Sequence, residues 1–178
     1  MLSTRFRHAV WCVVALSVTS ASAADLPDWT TKIRRDHPRL FFNVDTWPQV
    51  RERALGAERA WYLSTKERLD RLLPKLGDAS TRENSDRGPQ AAQAAFVFLV
   101  EKDDRYLNLA KMCLDVSIRY YEQCYQERKT VNWYSTSRVH AICAWDWLYD
   151  HLGEAERAGL MSRLVQVIDN VLQARPRI

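Results

Sequence analysis

Glycine is scarce in this chain, with five in 178 residues, and proline is nearly so, with six. That composition excludes collagen-like and Gly/Pro low-complexity material. Sequence of one charge sign is also missing: 26 Lys and Arg face 22 Asp and Glu, and charged residues make up 27% of the chain, too evenly balanced for a disordered tail. There is no CxxC pair and no His/Cys cluster at metal-ligand spacing, so neither a zinc site nor any other metal or cofactor is expected. The longest apolar run is about ten residues, Ala9 to Val18, half of what a membrane span needs. What the chain does have is apolar bulk: 47% of residues are hydrophobic and seven are tryptophan, which calls for a large aromatic core or an aromatic-lined groove.

The N-terminus has the three-part layout of an export signal. Arg5 and Arg7 precede the apolar run, and Ala21-Ser22-Ala23 supplies small residues at a cleavage site. The expected organisation is therefore a signal peptide over 1–23 and a mature domain over 24–178, exported to the periplasm or outside the cell. An uncleaved anchor is the alternative. Cleavage removes two arginines and no acid, which lowers the formal charge of +4 by two and weakens any case for nucleic acid as a partner. No membrane contact is expected after cleavage.

Export leaves three cysteines, Cys113, Cys124 and Cys143. An odd number allows at most one internal bridge. Cys113 and Cys124 are eleven residues apart on one expected helix, roughly 16 Å at the helical rise, too far to pair. Cys143 is free to pair with either; buried free thiols are the competing reading.

Past the signal, the periodicity is helical throughout and no strand is convincing. Residues 36–42 form an extended lead-in, since Pro38 biases His37 away from helix. Asp45 is the expected N-cap of a helix starting near Thr46, with Pro48 in its first turn and Trp47, Val50 and Ala54 inward. Gly56 breaks that rhythm. A helix over 58–73 follows, with Trp61, Leu69, Leu72 and Leu73 as its apolar set, and Pro74 ends it. The stretch 77–88 is polar and reads as a loop. Pro89 opens a helix whose Ala91, Ala92, Ala95, Phe96 and Leu99 permit close packing.

Lys102-Asp103-Asp104 is a tight turn with an Asp available as a cap. The helix over 105–127 has the clearest pattern: Tyr106, Ala110, Cys113, Ser117, Tyr121 and Cys124 recur every three or four residues, and Leu107, Leu114 and Ile118 widen the stripe. A polar connection over 126–132 leads to a helix over 134–151 with Val139, Ile142, Cys143 and Trp147 inward, stopped by Gly153. The last helix, 154–174, carries Leu160, Leu164, Val167, Ile168, Val171 and Leu172 on one face. The turns are short, so successive helices form antiparallel hairpins. The class is all-α.

Four segments resemble one known family: DHPRLFF at 36–42, WPQVRERA at 47–54, AFVFLVEKDDRYLNLAKMCLD at 95–115 and SRVHAICAWDWLYDHLGEAER at 137–157. Together they resemble the N-terminal helical part of heparinase II/III-type polysaccharide lyases, over most of 36–174. The resemblance implies helix hairpins forming part of an incomplete (α/α) toroid, followed in the family by β-sheet domains. It implies β-elimination on uronate polysaccharides, glycosaminoglycan- or alginate-like. In such a reaction the uronate carboxylate is neutralised, a base withdraws the C5 proton, and an acid protonates the leaving oxygen. No residue here matches the family's base or acid, so the chain is read as a fragment, or else as a truncated relative, inactive alone. Its expected partners are an anionic polysaccharide and the family's C-terminal β-sheet domains.

The candidate substrate contacts are Asn132, Trp133 and Tyr134, which open a helix, together with Arg138 and His140. Helix N-termini favour anions, and a guanidinium binds sulfate or carboxylate. Each also has a structural reading: a capping segment with a packing Arg, a hydrogen-bonded buried His140, a packing Tyr134. His140, two residues after Arg138, points to a different side of the helix. Asp146, between Trp145 and Trp147, is expected to be buried and to find a donor. Asp150 and His151 fit a helix end. Trp47 and Trp61 are read as core, with sugar stacking as the alternative. His37-Pro38-Arg39 is read as structural, and Arg34, Arg35 and Arg39 as a basic rim. Two other functions stay open: a secreted helical-repeat module binding glycan or protein, and a fragment of an (α/α)-barrel glycoside hydrolase. The latter needs two carboxylic acids roughly 5–10 Å apart, and no such pair declares itself.

Overall fold

The computed structural model describes residues 28–75, 86–129 and 136–173. The chain divides into two compact units, 1–33 and 34–178. In the first, Asp28–Lys32 form a 3-10 helix, closed by the Ile33 N–H donating to the Thr30 carbonyl at 3.2 Å. The second holds six α-helices, and no strand occurs among the described residues: α1 Trp47–Leu55, α2 Arg59–Asp70, α3 Gly88–Glu101, α4 Asp104–Gln126, α5 Ser137–Trp147 and α6 Glu154–Gln173. The all-α class is as expected.

Helix α3 is the centre of the second unit. Nearly all its residues from Ala91 to Val100 are buried, whichever side they face, so it must be enclosed. It packs most extensively on α4 and α5, while α2 also touches it and α6 packs on α4 and α5. The alanines make this possible, because small side chains let helix axes approach. Leu109, Leu114, Ile118 and Leu148 are 0–1% exposed. Each such side chain contributes ~1.5–3 kcal/mol through removal from water.

The α3–α4 turn follows the sequence closely. Lys102 takes the left-handed conformation (φ 58°) and its N–H donates to the Phe98 carbonyl at 2.7 Å. Asp103 then caps α4, accepting from the Arg105 N–H at 2.9 Å. The six positions of the expected inward stripe of α4, from Tyr106 to Cys124, are all buried, as are Leu114 and Ile118 beside it, while Leu107 is half-buried.

Several expectations need correction. Asp45 does not cap α1: its carboxylate pairs with Arg34 at 2.7 Å, and the Asn43 side chain instead accepts from the Asp45 and Thr46 N–H groups at 2.9 and 3.1 Å. Helix α2 ends at Asp70 rather than 73, and a 3-10 turn, Leu73–Lys75, carries Pro74. Its buried face is Tyr62, Thr65 and Leu69, and Trp61 is 53% exposed. The two aromatic hydroxyls beside this face explain the choice: Tyr62 donates to Glu101 at 2.5 Å and Tyr106 donates to Asp70. Helix α5 ends at Trp147, with a 3-10 turn over Tyr149–His151, and Val139 is half exposed because Ala141, Ala144, Trp145 and Leu148 form the face that packs. Gly153 has no positive φ; its carbonyl accepts from the Arg157 N–H at 2.8 Å and so opens α6 instead of closing α5. On α6, Leu164 and Val167 are buried and Ile168 is not. Among the described residues no cysteine pairs: Cys113, Cys124 and Cys143 are buried free thiols.

Candidate functional site

The lead-in segment is fastened first. Asp146, at the end of α5, accepts from the His37 Nδ1–H at 2.6 Å and from the backbone N–H groups of Arg39 and Leu40, both at 2.8 Å. The guanidinium of Arg39 can only donate, so His37 Nε2 accepts from it at 2.7 Å. The His37 ring stacks on Tyr149, with centroids 3.7 Å apart. Trp147 adds a bond from its indole N–H to the Leu40 carbonyl at 2.9 Å. Asp146 therefore finds its donors in the His-Pro-Arg segment, where a structural role was expected.

This fastening carries Phe41 and Phe42 to the mouth of a groove between α1, α2, α3 and α5, with a cavity of about 660 Å³. Its floor is aromatic. Phe42 lies 5.1 Å from Trp47 and 4.9 Å from Trp147, and Phe96 lies 6.2 Å from Trp147 and 6.3 Å from Trp61. Phe42 is buried, but Phe41 is 83% exposed and is held at φ 68°, a conformation that a residue with a bulky side chain rarely adopts. Trp61 and Val139 stand exposed on the opposite walls. The polar lining is sparse: Gln93, Thr136, His140 and an ion pair between Arg53 and Glu58.

The five sequence candidates are not gathered there as a set. Asn132, Trp133 and Tyr134 lie outside the described residues. Arg138 and His140 diverge on α5. The Arg138 guanidinium sits 5.2 Å over the Tyr121 ring, beside a small recess lined by Ser117, Ile118, Leu164 and Val167. His140 lines the aromatic groove. Its Nδ1 lies 2.9 Å from the Thr136 carbonyl, which only accepts, so Nδ1 carries a proton and, in the neutral ring, Nε2 is the acceptor.

The start of α5 is anchored by a carboxylate that the sequence did not single out. Asp86 accepts hydroxyl bonds from Tyr121 at 2.7 Å, from Ser117 at 3.4 Å and from Ser137. Gly88 completes the junction: a Cβ there would lie 2.2 Å from the Ser137 carbonyl oxygen, so no other residue fits without displacement.

Phe41 and Trp61 are the groove residues that sequence reasoning missed. Trp61, expected in the core, stands at the groove instead. Trp61 and its neighbour Tyr62 lie about 100° apart around α2, and it is Tyr62 that turns inward. Among the described residues there is no cluster of three or more His, Cys, Asp or Glu able to hold a metal ion, and no helix long and apolar enough to cross a membrane. No known protein family, curated protein or solved structure matches this chain.

Proposed function

We propose that this chain forms the opening helices of an (α/α) toroid in an exported polysaccharide lyase acting on uronate polymers by β-elimination. The observation that carries the reading is the open aromatic groove, about 660 Å³, with Phe41 and Trp61 exposed at its rim and His140 on its wall. Sugar rings present a C–H face to aromatic side chains and hydroxyls to polar ones, and this lining offers both partners. The four segments that resemble heparinase II/III-type lyases cover the lead-in, α1, the end of α3 and α5, which supply most of the groove's walls; α2, which carries Trp61, lies outside them. In this reading the described helices bind and orient the polymer, while the proton-transferring base and acid lie elsewhere in the enzyme.

A non-catalytic glycan-binding module is the second reading. One observation favours it: the carboxylate lining the groove, Glu58, is already tied to Arg53, which leaves no acid–base pair among the described groove residues. The protein expressed from its complete gene separates the two. Incubation with heparan sulfate, hyaluronan, chondroitin and alginate should produce the ultraviolet absorbance of an unsaturated uronate on at least one of them. Binding without that product on any polymer would end the lyase reading and leave the module.

A further inference from the structure

Resting on the glycan reading above, we infer that the groove is a charge-poor subsite for an unsulfated uronate polymer. Phe41 and Trp61 serve as platforms for the apolar face of a pyranose, and His140 Nε2 accepts a hydrogen bond from a ring hydroxyl. Two independent features point to an occupant. Phe41 combines a left-handed backbone (φ 68°) with 83% exposure, so the chain maintains an unfavourable conformation in order to hold an aromatic ring out in solvent. Trp61 is 53% exposed although its helix has a buried face available. Both line the same cavity, whose size falls in the range of small-molecule clefts.

Charge narrows the occupant. The groove's charged or titratable side chains are Arg53, Glu58, His140 and the buried thiol of Cys143, which burial keeps protonated and uncharged. Arg53 is closed on Glu58, and His140 Nδ1 is committed to the Thr136 carbonyl. Arg53 and Glu58 form a solvent-exposed ion pair of no net charge, so a sulfate placed here would gain little from Arg53 and be repelled by Glu58. The uncharged hexosamine ring of such a polymer has no such penalty, and its hydroxyls suit His140, Gln93 and Thr136. The anion-binding role first expected for the opening of α5 is thereby not needed in this subsite.

The test is calorimetric titration of the full chain with a hyaluronan oligosaccharide and with a heparin oligosaccharide of equal length. Hyaluronan should bind at least about tenfold more tightly, with an affinity nearly unchanged between low and high salt. Trp61→Ala and Phe41→Gly should each weaken binding about tenfold while circular dichroism and melting temperature show an intact fold. Tighter binding of heparin with a steep salt dependence, or wild-type affinity in both variants, would overturn the proposal. So would a sugar-insensitive chain whose sedimentation mass falls in both variants, since that outcome gives the groove to a second copy. Failure here leaves the lyase reading standing if the unsaturated product forms, and loss of the product leaves this subsite standing if hyaluronan still binds.

Discussion

Asp146 is 1% exposed, and its two oxygens are shared among the His37 ring and the N–H groups of Arg39 and Leu40. A buried carboxylate without such partners would be untenable, and here every partner comes from a segment more than a hundred residues earlier. The pairing thus sets the position of the lead-in, and with it the projection of Phe41 over the groove. Asp146→Ala should leave the His37 Nδ1–H and two backbone N–H groups without their acceptor. The expected cost is ~3 kcal/mol, read as a lower urea midpoint with an unchanged slope. That Asp146 would be buried and partnered was legible from its place between two tryptophans. That the partner would be His37 was not, because nothing local in either segment encodes a contact across that separation.

At the scale of elements, legibility followed how local the determinants are. The α3–α4 turn and the whole inward stripe of α4 were readable because a cap, a turn and a period of three to four residues are local signals. The inward faces of α2 and α5 were misread for a common reason. On each, an apolar side chain expected inward, Trp61 or Val139, lines a groove, while smaller or hydroxylated ones, Thr65 and Ala141 among them, meet the neighbouring helices. Hydrophobicity ranks residues by size and polarity, whereas close helix packing selects small ones.

The thiols on α4 and α5 give this packing a pH signature. Burial pushes Cys113 up to about 11, and burial together with the nearby Asp146 charge does the same for Cys143. Unfolded thiols release their protons near pH 9, but the folded ones hold them to about pH 11. Across that window the unfolded state binds fewer protons, so stability falls as pH rises. Burial also raises the Tyr62 and Tyr106 phenols, with their carboxylate partners adding to the effect, and the sign is the same. Urea titrations from pH 8 to 11 should show a progressive loss, about 2 kcal/mol of it from Cys113 alone. Stability that is flat across this range would mean that the thiols are not enclosed.

For the molecule as a whole, the second unit is a helical assembly built around α3, with a tightly packed side toward α4 and α6 and an open aromatic side between α1, α2, α3 and α5. The two sides divide the residues that the sequence grouped together: Arg138 stacks on Tyr121 beside the packed recess, and His140 faces the groove. The all-α class followed from periodicity alone. The groove did not, since it depends on which aromatics the assembled helices leave uncovered. Occupation of that groove by a sugar is tested most directly by a crystal structure of the chain with a bound hyaluronan oligosaccharide. It should show a pyranose ring stacked on Phe41 or Trp61 with a hydroxyl within hydrogen-bond distance of His140 Nε2. A sugar bound beside Arg138 with the groove vacant would contradict it.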